Sequence, residues 1–122
     1  MKAEACGNIG LPFSEVAARS ASLDAAVVEI SSFQLETTDT FRPRVAVWTN
    51  FSANHLDRYP DVASYRAAKL RIFDRQTADD FAVVNARLEL PALRARRVTF
   101  TAARGVEADF TLGEGDTILH RG

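Results

Sequence analysis

The stretch Ala25-Ala26-Val27-Val28-Glu29-Ile30-Ser31-Ser32-Phe33-Gln34-Leu35-Glu36 decides how this chain is read. From Ala25 to Ile30 it is apolar except for one carboxylate, Glu29, and it turns polar abruptly at Ser31. An apolar run of that length reads as a buried strand of an α/β sheet. In open α/β sheets, ligands sit in the crevice beyond the carboxyl ends of the strands. Glu29 and the two serines fall where such a crevice would open.

Upstream of this strand, Gly7-Asn8-Ile9-Gly10 is a glycine-bracketed loop. Glycine permits positive φ and close backbone approach, so a ligand or another strand can pass near Asn8. Pro12 to Arg19 reads as a helix, with Phe13, Val16 and Ala17 at helical spacing. Downstream, Phe33 to Thr38 reads as a helical turn or short helix. Pro43 introduces a second apolar strand, Val45 to Thr49, followed by a polar loop with aromatics, Asn50 to Pro60. Asp61 is a natural N-cap for a helix from Val62 to Gln76. Phe81 to Val84 reads as a third strand, and residues 87 to 95 as a weak helix broken by Pro91. Arg97 to Thr101, Asp109 to Leu112 and Thr117 to His120 alternate, with a turn at Gly113 to Asp116. That is a hairpin pattern and predicts antiparallel edge strands. The expected architecture is thus α/β: a parallel, Rossmann-like part over residues 1–95 and an antiparallel strand extension over 96–122, together a partial domain.

At 122 residues the chain is about one domain, and 47% apolar with 25% charged residues is ordinary for a globular protein. A formal charge of −1 argues against a nucleic acid or an anionic membrane as partner. No apolar run approaches a membrane span, and no signal peptide opens the chain. The single cysteine, Cys6, cannot close an internal disulfide, which fits a reducing cytoplasm.

Three side chains could carry chemistry. Glu29 is either a solvent-facing residue at a strand end or a hard oxygen ligand for Mg²⁺, which takes one or two carboxylates plus phosphate oxygens. His55 lies just past the second strand, on the same edge as Glu29 if the strands are parallel. Lys69 falls between Tyr65 and Phe73 on the inward side of the helix, with Val62 and Ile72 alongside. A lysine there either snorkels its amine to water, or has a depressed pKa and can react with CO₂ to become a carbamate, a metal-binding carboxylate. Asn8 and the serines could hydrogen-bond a substrate, although asparagine in such a loop also serves as a turn residue. Arg94, Arg96 and Arg97 read as a solvated basic edge. Ser31 has no histidine and acid at helpful local spacing, so a nucleophilic triad has little support.

Four segments together resemble the central domain of the Mur ligases: Gly7 to Gly10, Glu29 to Glu36, His55-Leu56-Asp57-Arg58-Tyr59, and Tyr65 to Phe73. They occur in the family's order and spacing, and the Ser-Ser-Phe-Gln-Leu-Glu run points to its D-glutamate-adding branch. The resemblance implies an ATP-dependent ligase that joins D-glutamate to UDP-N-acetylmuramoyl-L-alanine through an acyl phosphate, in the cytoplasm, for peptidoglycan synthesis. It implies that Glu29 holds one Mg²⁺, and that His55 and carbamylated Lys69 serve a second Mg²⁺ and the catalysis. It further implies that Asn8, Ser31 and Gln34 contact the UDP-muramoyl substrate.

The sequence also departs from that family. No GxxxxGK[ST] phosphate loop occurs in the chain, and Asn54 stands where the family usually has an acid. The expectation is a piece of the enzyme, without its amino-terminal, phosphate-loop and carboxyl-terminal parts, and inactive alone. The alternatives are a non-catalytic binding or structural fragment, or another Mur or folylpolyglutamate-type amide ligase.

Overall fold

The computed structural model describes residues 1–53 and 57–121. The apolar run at Ala25 forms a strand, β2 (Ala25–Glu29), paired in parallel with β1 (Ala3–Gly7) from Ala3–Ala25 to Gly7–Glu29. Between them lies α1 (Phe13–Ala17), shorter than the expected Pro12–Arg19, with a 3₁₀ turn at Ser20–Ser22. Cys6 and Val16, each 1% exposed, are the buried contacts of this part. The strand is as expected, but its burial is not: Val27 is 62% exposed, and among the described residues only β1 pairs with β2. Ser31 then caps α2 (Ser32–Glu36), whose Leu35 is buried.

The rest of the chain builds a second sheet. Its strands are β3 (Val45–Trp48), β4 (Phe81–Asn85), β5 (Arg96–Thr101), β6 (Phe110–Leu112) and β7 (Ile118–His120), in the order β3-β4-β5-β6-β7. The first three pairings are parallel, and only β6 with β7 is antiparallel. The expected hairpin is therefore β6–β7, whereas the strand at Arg97 to Thr101 runs parallel to β4 rather than antiparallel. Period-two alternation reports which face a residue occupies and not which way its strand runs.

Residues 87 to 95 are not helical. Pro91 has no amide donor and disfavours the helical region for Leu90. The segment crosses without regular secondary structure and lays Leu88, Leu90 and Leu93 against the core, ending at buried Ala95. The chain divides into two compact units after Thr38, whereas residues 95 and 96 fall within the second unit, where the crossing segment meets β5.

The expected helix after Asp61 forms as α3 (Val62–Leu70), tightens to a 3₁₀ turn at Arg71–Phe73, and stops short of Gln76. The Asp61 side chain accepts from the Ser64 amide at 2.7 Å, as an N-cap should. On the second sheet, Ala46, Trp48, Ala82 and Val84 face the core and pack with Phe73 and Ala95. Trp48 stacks on Phe73 with ring centroids 6.1 Å apart and meets Phe51 edge-on at 5.9 Å. Among the described residues, no helix is long and apolar enough to cross a membrane.

A buried polar latch ties the segment after α3 to the starts of β3, β4 and β5. Asp80, 1% exposed, accepts from Arg42 Nε at 2.8 Å and from the Thr77 amide at 2.8 Å. Its backbone carbonyl takes the Arg96 amide. Gln76, fully buried, donates to the carbonyls of Pro43 and Phe81 at 3.0 Å each. The Arg42 hydrogen bond, with help from the Thr77 amide, lowers the Asp80 carboxyl from 3.8 to about 2.

Because the folded pKa lies below the unfolded one, this carboxylate stabilises the fold fully above about pH 4, and the contribution fades as pH falls towards 2. Asp80→Asn is expected to lower the urea midpoint at pH 6. Its deficit against wild type should shrink between pH 4 and pH 2. A deficit independent of pH over that range would show that the charge is not what Asp80 contributes.

Candidate functional site at the carboxyl end of the second strand

Gly7 holds the first wall of the site. Its φ is +113°, and a Cβ there would collide with the backbone carbonyl of Glu29. The absence of a side chain lets the loop close: the Gly7 amide donates to Leu11 O and the Asn8 amide to Glu29 O, both at 2.8 Å. Asn8 is thereby fixed beside the last residue of β2. The Glu29 backbone is held by these contacts, while its side chain is exposed and makes no ion pair or hydrogen bond with any described residue. A free carboxylate at the carboxyl end of a strand fits a hard cation that takes its other oxygens from a phosphate.

Ser31 and Gln34 are drawn together by helix physics. The Gln34 amide donates to Ser31 Oγ at 3.3 Å, and Gln34 Oε1 accepts from the Ser31 amide at 3.0 Å, a reciprocal capping box. The Ser31 hydroxyl also donates to Gln34 Oε1 at 3.2 Å. Gln34 Nε2 has no partner among the described residues, so it is the amide atom available to a ligand. Asn8, Glu29, Ser31 and Gln34 all belong to the unit of residues 1–38.

Lys69 belongs to the other unit and His55 lies outside the described residues. Lys69 is half-buried, in the last turn of α3, and its Nζ sits 5.2 Å from the centroid of the Tyr65 ring. The ring face and the helix carboxyl terminus both favour a cation there. Val62, placed alongside Lys69 by the helical spacing, is 39% exposed, so the surroundings are less apolar than the sequence suggests. Among the described residues, no group of three or more His, Cys, Asp or Glu side chains could hold a metal ion.

The basic edge at Arg94, Arg96 and Arg97 is exposed, but it is not merely solvated. Each guanidinium donates to a backbone carbonyl, of Asp74, Ala78 and Leu88 respectively. The sequence reading passed over Arg42 and Asp80, whose pairing spans 38 residues. It also passed over Arg66 and Arg87, which line an open groove on α3 with Phe51 and Leu88. Arg66 could have been found from its spacing, four residues after Val62 and four before Leu70, on the side of α3 away from Ala68.

The chain is similar to known proteins over nearly its full length. A family model described as the Mur ligase middle domain matches residues 4–112. Among curated relatives, a UDP-N-acetylmuramoylalanine–D-glutamate ligase of Trichlorobacter lovleyi is 44% identical over 95% of this chain and 27% of the relative. One so named from Syntrophotalea carbinolica is 50% identical over 80% of the chain and 23% of its own length. One from Anaeromyxobacter dehalogenans is 56% identical over 66% of the chain and 18% of its own length. The chain spans at most about a quarter of the length of these relatives.

Gly7→Ala combines a positive φ with a backbone collision, and strain of this kind amounts to about 1–3 kcal/mol. The variant is expected to lose roughly that much stability in urea unfolding. In amide exchange, the Asn8 proton should lose protection first. A variant with wild-type stability and an unaltered Asn8 amide would show that the close approach is dispensable.

Proposed function

The chain belongs to the Mur ligase family through its middle domain, and on that premise we propose that it forms part of an ATP-dependent ligase that joins D-glutamate to UDP-N-acetylmuramoyl-L-alanine in peptidoglycan synthesis. The observation that carries this reading is the set of relatives named for that ligation, matched across the run from Glu29 to Glu36 at the carboxyl end of β2. The reaction transfers the γ-phosphoryl group of ATP to the substrate carboxylate with loss of ADP. The D-glutamate nitrogen then attacks the acyl carbon, phosphate leaves with the bonding pair, and the nitrogen loses a proton. Both the carboxylate and the triphosphate are anionic, so their approach needs cationic screening, the chemistry that Mg²⁺ supplies when bound.

In this reading Glu29 holds one Mg²⁺, and its exposed, unpaired carboxylate supports that role. His55 and Lys69, the latter as a carbamate, hold the second. Lys69 Nζ stands 5.2 Å from the centroid of the Tyr65 ring, a contact that the carbamate would have to replace. Asn8, Ser31 and Gln34 contact the UDP-muramoyl substrate, with the free Gln34 Nε2 as donor. We place the reaction in the cytoplasm, where ATP is available. The chain contains no GxxxxGK[ST] run, so the amide cradle for the triphosphate lies elsewhere in the longer protein. The isolated chain is expected to show no turnover.

The longer protein is expected to release phosphate from ATP only when both UDP-N-acetylmuramoyl-L-alanine and D-glutamate are present. Glu29→Gln should lower kcat about a hundredfold or more, by analogy with removing one preorganised electrostatic contact. Phosphate release that ignores D-glutamate, or a fully active Glu29→Gln enzyme, would remove the basis for the reading.

The role of Lys69 is separable. Lys69→Arg keeps the positive charge over Tyr65 but cannot be carbamylated. It should fold normally, lose ligation, and lack the carbamate signal that ¹³C-bicarbonate gives in the spectrum of the wild-type longer protein. No such signal in the wild type would refute the carbamate.

A further inference from the structure

We infer that the outer side of α3 carries a second binding site, a groove for a small organic monocarboxylate with an apolar body. The open groove has a volume of about 700 Å³, within the range of roughly 300–1,000 Å³ of small-ligand sites. Its apolar wall is Phe51, Val62, Leu70 and Leu88, of which Phe51, Leu70 and Leu88 are half-buried against the core. Phe51 follows β3 and Leu88 follows β4, so the groove opens beyond the carboxyl ends of two adjacent parallel strands, where α/β sheets place their ligands.

The charge on the groove identifies the ligand class. Arginines elsewhere in the chain are engaged: Arg19 with Glu4, Arg42 and Arg44 with Asp80, Arg75 with Asp39, Arg121 with Glu107. Arg94, Arg96 and Arg97 hold backbone carbonyls, and Arg58 and Arg71 also have partners. Only the guanidiniums of Arg66, Arg87 and Arg104 have none among the described residues, and Arg66 and Arg87 line this groove. Glu89 lines it too, so two guanidiniums against one carboxylate leave an excess of a single positive charge. A monoanion matches that excess, and the guanidinium fork matches a carboxylate. None of these residues belongs to the set proposed for ligation, so the inference stands or falls separately.

The test is a titration of the ¹⁵N-labelled 122-residue chain with naphthalene-2-carboxylate, with naphthalene-2-methanol as the neutral match. Saturable shifts are expected at the amides of Phe51, Val62 to Leu70 and Arg87 to Glu89. Affinity should fall about tenfold for the neutral compound, and about tenfold for the carboxylate in Arg66→Gln/Arg87→Gln, while Arg94→Gln changes nothing. The neutral compound is measured on the wild-type chain, so it decides the matter even if the double variant misfolds. Absence of saturable shifts, shifts centred on Arg42, Arg44 and Arg96, or equal affinity for the two compounds would overturn the proposal.

Discussion

A strand in a parallel sheet has two faces to cover, and this demand shapes both units of the chain. In the second unit, Ala46, Trp48, Ala82 and Val84 present small and large side chains alternately to Phe73 and Ala95, and that face is closed. The crossing segment between β4 and β5 supplies part of the cover without forming a helix, since Leu88, Leu90 and Leu93 reach the core from irregular backbone. The opposite face is left more open, with Val45 and Val47 about half exposed. In the first unit, Val27 of β2 is more exposed still. Covering such a valine fully would add roughly 1 kcal/mol. Directional contacts add to what burial supplies, and the Asp80 latch and the Gly7 approach are contacts of that kind.

What the sequence made legible follows from the range of the interactions involved. Strands β2, β3 and β4, the Asp61 cap and the β6–β7 hairpin are written in runs of under about ten residues, and local patterns found them. The direction of β5 was not legible, because alternation is identical in parallel and antiparallel strands. The latch was invisible for a different reason: Arg42 and Asp80 meet across 38 residues, and neither neighbourhood announces the other. The groove draws on three separate segments, so no single window contains it. In the candidate site, the placement of Glu29 at a strand end was readable from the apolar run, and the glycine loop pointed to a close approach near Asn8, whereas β1 itself, short and mixed in sequence, was not. The surroundings of Lys69 were not, because helical spacing fixes a direction and leaves the burial in that direction open.

The candidate site separates residues fixed by backbone from residues fixed by side chain. Asn8 and Glu29 are positioned through main-chain hydrogen bonds, so their side chains remain available for chemistry. Ser31 and Gln34 are positioned through their side chains, and the atoms so used are already committed. A ligand can take Gln34 Nε2 without disturbing the cap. Taking the Ser31 hydroxyl proton would break its bond to Gln34 Oε1, although the amide bond to the same oxygen would survive. Of the two, Gln34 therefore keeps the freer polar atom, and the capping box holds its side chain in place.

Lys69 brings the same reasoning to the ligase chemistry. Its Nζ lies against the Tyr65 ring, in the last turn of α3, and both neighbours suit a cationic side chain. In the proposed reaction Lys69 would exchange that contact for metal ions that accompany the triphosphate, so the surroundings of its side chain would differ with and without substrates.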